Sequence, residues 1–416
     1  MKEIIALLPD GWREAAKTEK ALIRGRKIKT PEDLLGLNFL YQIHGGSYDL
    51  TSALTKISEN QKGLNKTAVD KRIVNSASWL EWICRHMCQQ EGFIVEPPEW
   101  LKGYNVNLID ASDYACSGSR GSDFRFHYMV NLFTLNSLEM YFTDASEGET
   151  LTRYKNINEK DIIVADRGYC TAKGIFHVID HKADYVIRMR SNSFNLYNED
   201  KTKFDLTAEL KKDFTPGRKI DLNLFIKSGK NFIPVRICAI AKSDEDIQKS
   251  QRQIKKANHN RRQLSELQTV WSHFVVVATS LDESFSTEKL LELYRMRWQI
   301  ELVFKRFKSI FGGREFTARK EQSVKAWFYG KLLIAIICET LAKKGRFSPT
   351  EEKADNHNAQ FSLWKELSVL FCVFSSFVDS SLRFSLSVSN LAGISDFCKN
   401  SKRKRLPSLV SFSISA

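Results

Sequence analysis

The first 96 residues carry a helical pattern of apolar positions. Within residues 34–40, four leucines recur at the spacing of one helix face, after an N-cap at Thr30 and a proline at the first helical position. Two more helices are predicted, one from Ser47 to about residue 59 and one over residues 67–87. We therefore predict an all-helical N-terminal domain over residues 1–96.

A polar turn separates the second and third of these helices, and cations surround it. They are Lys56, Lys62, Lys66, Lys71 and Arg72. Two helices joined by a short turn, with such a basic surface, are typical of a helix-turn-helix module that binds DNA. A plain helical bundle with a solvated basic face explains the pattern equally well. Residues 1–96 are therefore a candidate DNA-binding domain.

Two prolines at 97–98 end the helical run, and short apolar strands follow. The predicted strands cover residues 105–110, 124–132, 138–142, 162–165 and 185–189, with a short helical stretch before the fourth and a helix over residues 172–182 before the fifth. This succession predicts a mixed α/β sheet over residues 97–190. The sheet pattern returns at residues 273–278, so residues 271–345 are assigned to the same core.

Residues 191–270 interrupt the core with a polar segment. Alternating apolar and polar positions over residues 222–226 and 232–240 predict antiparallel strands, and hence a β-rich insertion. A basic run ends the insertion and consists of Lys249, Arg252, Lys255, Lys256, Arg261 and Arg262. These cations are candidates for contacts with DNA phosphates, and a solvated helix or loop is an equally good interpretation.

The charge balance points to a polyanionic partner. Lys and Arg number 63 against 49 Asp and Glu, which leaves a net charge of +14, and nucleic acid is the commonest partner of so basic a chain. No apolar run approaches the roughly 18 residues of a membrane span, so we expect no membrane association and a cytoplasmic location at the nucleoid. Among the eight cysteines, Cys84 and Cys88 lie close together, but no second Cys/His pair follows at zinc-binding spacing.

Three acids occupy positions suited to a metal site. Asp110 and Asp166 each end a predicted strand, and ligands gather at the carboxyl ends of strands in α/β sheets. Glu301 lies on a long helix predicted from Ser286 to about Lys308, in one stripe about 80° wide at 100° per residue. The stripe also contains Tyr294, Arg297, Lys305 and Lys308. The alternative is an ordinary amphipathic helix with i,i+4 ion pairs along its border.

Within that stripe, Tyr294, Arg297, Glu301 and Lys308 resemble in type and spacing the Tyr-Arg-Glu-Lys signature of the insertion-sequence-four family of DDE transposases. The sequences Asp-Arg-Gly-Tyr at 166–169 and Ile-Asp-Ala-Ser at 109–112 resemble the second- and first-aspartate motifs of that family. The family often has glycine after the first aspartate, whereas alanine stands here. Asp113 and then Asp123 are therefore the alternatives to Asp110.

The resemblance implies a ribonuclease H-like catalytic core in which Asp110, Asp166 and Glu301 bind two Mg²⁺ ions, with Mn²⁺ as a substitute. It also implies that Tyr294, Arg297 and Lys308 grip phosphates, assisted by Lys305. The implied activity is metal-dependent cleavage and strand transfer at insertion-sequence ends, by an enzyme that binds double-stranded DNA at the inverted-repeat ends and the target, as a homodimer. The Ser-rich tail, residues 346–416, is a candidate for oligomerisation.

Two other functions fit the same residues. A ribonuclease H-like DNA nuclease without strand transfer needs the same three carboxylates. A non-catalytic DNA-binding protein derived from a transposase needs none of them, so their presence favours an enzyme.

Overall fold

The computed structural model describes residues 2–57, 63–89, 95–134, 136–257, 264–312, 315–316, 320–347 and 363–380. The N-terminal helices are α1 (Lys2–Ile5), α2 (Trp12–Thr18), α3 (Pro31–Ile43), α4 (Tyr48–Ile57), α5 (Lys66–Asn75) and α6 (Ala77–Gln89). Helix α3 begins as predicted, with a reciprocal capping box between Thr30 and Asp33. Within the described part of the chain, no helix is long and apolar enough to cross a membrane.

The third predicted helix is wrong in one respect, because residues 67–87 form two helices rather than one. The break is at Ser76, whose hydroxyl donates to the carbonyl of Arg72 and accepts from the amide of Asn38 on α3. A serine that hydrogen-bonds to nearby backbone competes with a continuous helix. Of the cations predicted around the preceding turn, Lys62 lies outside the described residues.

The first half of the sheet consists of β1 (Asn105–Cys116), β2 (Phe124–Asn131), β3 (Ser137–Asp144), β4 (Asp161–Ala165) and β5 (Asp184–Arg188). The helix α7 (Ala172–Asp180) connects β4 to β5. β1, β2 and β3 are antiparallel neighbours, whereas β4 runs parallel to β1 and β5 parallel to β4. The mixed sheet is thus confirmed. β1 is longer than predicted, because residues 110–114 continue to pair with residues 124–128 of β2.

The next elements are β6 (Leu196–Tyr197), β7 (Lys203–Phe204), α8 (Leu206–Lys211), β8 (Lys219–Ser228), β9 (Asn231–Ala241), α9 (Asp244–Ala257), α10 (Glu266–Ser272) and β10 (Phe274–Thr279). The strands follow the order β3-β2-β1-β4-β5-β10-β9-β8-β6-β7, so residues 191–270 extend the same sheet beyond β10. The described part of this segment also contains the helices α8 and α9 and most of α10, and α9 carries four of the six cations of the basic run.

The last elements are α11 (Thr287–Met296), α12 (Trp298–Ile310), β11 (Glu315–Phe316), α13 (Glu321–Phe347) and α14 (Leu363–Ser380). The side chain of Ser286 caps α11 as predicted, by accepting from the backbone of Lys289. The predicted long helix is divided at Arg297, however. The tail contributes α14, whose Phe374 packs edge-on against Phe39 of α3.

Apolar side chains cover both faces of the sheet. Leu108 and Val164 belong to a core shared with the N-terminal helices, α12 and α13. Their neighbours Ile109 and Ile163 point into a second core with α7 and the strands of residues 191–270. Successive residues of a strand face opposite sides, so the face of the sheet on which each functional residue lies follows from this alternation.

Candidate active site

Asp110 and Asp166 lie side by side on neighbouring parallel strands. Ile109 of β1 stands opposite Ala165 of β4, and each is followed by one of the two aspartates. By the alternation of strand side chains, both acids belong to the face of Leu108, which is the face that α12 covers. The pairing of β1 with β4 therefore brings the two predicted aspartates together.

Glu301 reaches the same place from α12. Ile300 and Phe304 of this helix are buried in the core, whereas the Glu301 side chain remains 43% exposed. It opens on a cleft of about 440 Å³. The charged residues that line this cleft are Asp110, Asp166, Arg297, Glu301, Lys305 and Lys308. The structure thus places all three predicted acids and three of the predicted cations around one cleft.

Arg297 links two of the acids. Its Nη1 donates to Oδ2 of Asp110 at 3.0 Å, and its Nη2 donates to Oε1 of Glu301. The residue is 9% exposed. Burial lowers the pKa of the guanidinium, but Tyr294 and the surrounding carboxylates outweigh this effect and raise the pKa overall. The fork of a guanidinium is suited to such a double contact.

The two aspartates have opposite pKa shifts. Burial raises the pKa of Asp110 to about 6, and Arg297 offsets this only in part. Burial also acts on Asp166, but the hydrogen bond from the backbone of Arg167 and the nearby Arg297 outweigh it and lower the pKa. Tyr294 contributes too, because its hydroxyl donates to Oδ1 of Asp166 at 3.0 Å.

Three more residues of α12 are candidates for contacts with DNA or lie beside such candidates in the sequence: Lys308, Lys305 and Trp298. The Nζ of Lys308 donates to the backbone carbonyl of Asp113 at 2.8 Å and lies 4.5 Å from the centroid of the Tyr114 ring. Lys305 is exposed in the cleft. Trp298, beside Arg297, is 51% exposed. A large exposed aromatic ring at the start of α12 offers a surface on which another ring could stack.

The alternative first aspartates make other contacts. The carboxylate of Asp113 pairs with Arg125 at 2.6 Å. The carboxylate of Asp123 accepts from the backbone N–H of Cys116 and from the hydroxyl of Ser119, and so closes the turn between β1 and β2. These contacts favour Asp110 as the first aspartate of the site.

The described part of the predicted basic run does not line the cleft. Lys255 and Lys256 are exposed in the last turn of α9. Arg261 and Arg262 lie outside the described residues. The helix carries acids in its first turn and cations in its last, an arrangement that favours its own dipole.

Glu149 lies beside the second-aspartate motif, and the sequence pattern does not reveal this contact. A Cβ added at Gly168, in the second-aspartate motif, would meet Oε2 of Glu149 at 1.7 Å. Burial raises the pKa of Glu149, Arg125 opposes the shift, and the charge of Asp166 adds to it. Glu149 belongs to a loop without periodicity, so the glycine at 168 is the one sequence signal of this close approach.

The oxygen atoms of Asp110, Asp166 and Glu301 are the candidate metal ligands of the cleft. Within the described ranges, no three His, Cys, Asp or Glu side chains already form a metal-ligand set. In the cleft, the guanidinium of Arg297 lies between Asp110 and Glu301. Carboxylate oxygens are the donors that Mg²⁺ and Mn²⁺ prefer, so the donor chemistry of the three acids suits these ions. Of the two neighbouring cysteines at 84 and 88, Cys84 is buried and donates its thiol to the carbonyl of Tyr329.

Several known proteins resemble this chain in sequence over most of its length. A family model described as the transposase DDE domain matches residues 113–337, so it includes Asp166 and Glu301 and begins just after Asp110. The transposase for insertion sequence element IS421 of Escherichia coli is 23% identical over 360 residues, which cover 84% of this chain and 95% of that protein. InsL of IS186A from Escherichia coli (strain K12) has the same identity and coverage. The transposase for IS1151 of Clostridium perfringens is 23% identical over 370 residues, or 78% and 76% of the two chains.

Proposed function

The chain belongs to the family of transposases with a DDE domain, and from that premise we propose that Asp110, Asp166 and Glu301 are the three catalytic carboxylates of a DNA transposase. Transposases of this family cut DNA and transfer strands, and they depend on divalent metal ions. The observation that carries the assignment is the meeting of these three acids at one cleft.

The residue types of the cleft fit the ions that such an enzyme needs. Two aspartates from adjacent strands and a glutamate from the covering helix supply oxygen donors alone, which suits Mg²⁺ or Mn²⁺. Bound there, a pair of Mg²⁺ ions would activate water or a 3′-hydroxyl and stabilise the leaving oxygen at phosphorus. The chain's own contribution is to orient Asp166 through the hydroxyl of Tyr294 and to neutralise Asp110 through Arg297 while no ion is bound.

The cations of the cleft have a separate task. Lys305 is exposed at the cleft, and Lys308 and Arg297 line it as well. Positive groups arranged around acids can neutralise the phosphate of a DNA strand as it approaches. We assign phosphate binding to Arg297, Lys305 and Lys308, whereas the hydroxyl of Tyr294 uses its one proton for Asp166. Trp298 offers an exposed ring to the same strand.

We propose that the catalytic core is ribonuclease H-like. Its support is the order of elements: three antiparallel strands β1–β3, then β4, α7 and β5, with β4 and β5 parallel to β1. Residues 97–190 and 271–345 would form this core, and residues 191–270 would be an insertion that prolongs its sheet. The N-terminal helices, residues 1–96, would recognise the transposon end.

A single substitution tests the catalytic assignment. Glu301→Gln keeps the size of the side chain but removes the charge, so we expect metal-dependent nicking of a DNA end to be lost while binding of that end stays within a few-fold. Most of the affinity for DNA comes from basic groups. Glu292→Gln, an exposed position on α11, is the matched control and should cut normally.

The same assay separates the transposase from a nuclease. When the wild-type protein is given a pre-cut end with a free 3′-hydroxyl, we expect it to join this end to a second DNA. Nicking without joining would favour the nuclease. Equal loss of cutting and binding in Glu301→Gln would indicate a structural role for Glu301.

A further inference from the structure

Arg297 bridges two of the three acids to which we assign metal binding. Its two terminal nitrogens contact Asp110 on β1 and Glu301 on α12. Burying a carboxylate without a counter-charge is costly, and here one guanidinium compensates the buried Asp110 and also pairs with the half-exposed Glu301. The side chains of Asp110 and Arg297 are 15% and 11% exposed, so solvent screens this pair weakly.

We propose that Arg297 is an internal counter-ion that keeps the catalytic carboxylates from binding metal until DNA draws it away, so that binding of a DNA end and binding of metal are cooperative. This inference rests on the proposed function. Oδ2 of Asp110 and Oε1 of Glu301 accept from Arg297, and Oδ1 of Asp110 accepts from the backbone N–H of Ala111. A divalent ion would need oxygen atoms and negative charge from the same two carboxylates. Guanidinium and metal therefore compete for them.

A DNA phosphate is suited to resolve this competition. Arginine binds phosphate oxygens through two parallel hydrogen bonds, as it binds carboxylates. The guanidinium of Arg297 lines the open cleft, so an incoming phosphate can reach it. A guanidinium that turns to the phosphate releases both carboxylates, and their negative charge is then available for metal. By linkage, metal and DNA must each increase the affinity for the other by the same factor.

Two local features allow Arg297 to move. It lies at the junction of α11 and α12, where its backbone is fixed by hydrogen bonds with Tyr294 and Ile300, so only the side chain has to turn. Its Nε is buried and has no hydrogen-bond partner among the residues that the structure describes. A buried donor without a partner costs free energy, so the closed arrangement leaves one hydrogen bond for the DNA-bound state to supply.

Metal affinity, rather than activity, tests the proposal. Free Mn²⁺ is titrated by electron paramagnetic resonance against wild-type protein and Arg297→Gln, without DNA and with a pre-cut duplex carrying the terminal inverted repeat. A titration of the duplex alone corrects for Mn²⁺ on DNA. Allosteric couplings are typically about 5- to 150-fold, so we expect DNA to tighten Mn²⁺ binding to the wild type by at least about five-fold.

The variants should behave differently. Without DNA, Arg297→Gln should bind Mn²⁺ on the order of ten-fold more tightly than the wild type, and DNA should then change its affinity less than about two-fold. Lys305→Gln removes a positive charge from the same cleft, but it leaves in place the bridge that Arg297 makes between Asp110 and Glu301. It therefore measures the general effect of charge, which should be smaller.

Several results would overturn the proposal. One is an Arg297→Gln affinity for Mn²⁺ no tighter than that of Lys305→Gln. Another is an equal effect of DNA on the Mn²⁺ affinities of the wild type and of Arg297→Gln. If Arg297→Gln does not fold, Arg297→Lys replaces it: a single ammonium cannot serve both carboxylates in the same way, so Mn²⁺ binding should again tighten. If Glu301→Gln loses nicking but Arg297→Gln binds Mn²⁺ with the affinity of the wild type, the proposed function stands and the counter-ion role of Arg297 is rejected.

Discussion

The hydroxyl of Tyr294 donates a hydrogen bond of 3.0 Å to Oδ1 of Asp166. The contact ties α11 to the carboxyl end of β4, and Tyr294 is only 8% exposed. Burial raises the pKa of Tyr294, and the negative charge of Asp166 adds to this shift, so the phenol stays a donor over the working pH range. The bond fixes the orientation of an acid that the proposed mechanism requires.

We expect Tyr294→Phe to slow DNA cleavage more than it weakens DNA binding. The substitution keeps the buried ring and removes the donor to a charged carboxylate, a hydrogen bond that contributes about 1.5–3 kcal/mol. This corresponds to roughly 10- to 150-fold in the single-turnover cleavage rate. Tyr197→Phe, at a half-buried position on β6, is the control. A loss confined to DNA affinity would show that Tyr294 acts on the phosphate alone.

Gly168 provides a second test, of the contact with Glu149. A methyl group at position 168 would clash with the Glu149 carboxylate, so we expect Gly168→Ala to lower the free energy of unfolding by about 1–3 kcal/mol, as overpacking does. In Gly168→Ala/Glu149→Ala the obstacle is gone, and most of the loss should be recovered. Denaturant unfolding of the two single variants and the double variant measures this coupling. Additive effects would mean that Glu149 moves aside freely.

The placement of the site could be predicted from the sequence because it depends on periodicity. Strand alternation and strand order place Asp110 and Asp166 together, since each follows an apolar strand residue in matching register. Helical periodicity likewise places Glu301 beside the buried Ile300. Strand alternation and helical periodicity can both be recognised in short stretches of sequence, so these placements can be predicted without the folded structure.

The contacts between distant segments could not be predicted in this way. Arg297 binds Asp110 across 187 residues, and nothing in the local pattern distinguishes this partner from a phosphate. Glu149 approaches Gly168 from an irregular loop. The extension of β1 beyond Asp110 depends on pairing with β2. Each of these is a tertiary contact, which depends on the folded sheet rather than on local sequence.

The burial of Lys331 leads to a prediction about how the free energy of unfolding depends on pH. It is 5% exposed on α13, and burial lowers its pKa to about 8. Because the unfolded chain has the ordinary value near 10.4, the folded state binds this proton more weakly. The resulting penalty, about 3 kcal/mol, is fully present below pH 8 and disappears as the pH rises from 8 to about 10.4.

We therefore expect Lys331→Met to be more stable than the wild type at pH 7, by up to about 3 kcal/mol. The difference should shrink as the pH is raised towards 10. Urea unfolding at several pH values measures it, with Lys320→Met, an exposed position just before α13, as the control. A constant difference between pH 7 and 10 would contradict the lowered pKa.

Lys255 and Lys256 test whether the basic run of residues 249–262 follows DNA. Both are exposed in the last turn of α9, and alanine is a good helix former, so Lys255→Ala/Lys256→Ala should fold normally. Removing one lysine–phosphate interaction on duplex DNA reduces the slope of log affinity against log salt by about 0.9. If both lysines bind phosphates, the slope should fall by about 1.8, with a similar loss of affinity for every DNA sequence.

The control removes equal charge elsewhere in the same segment. Lys227→Ala/Lys230→Ala alters two exposed cations at the end of the hairpin formed by β8 and β9. General attraction between a basic protein and DNA would change both double variants alike. A reduced slope for the α9 variant together with an unchanged slope for the hairpin variant would place DNA along α9. An unchanged slope for the α9 variant would mean that its lysines form a solvated surface, since a lysine that neutralises a phosphate cannot be removed without altering counterion release.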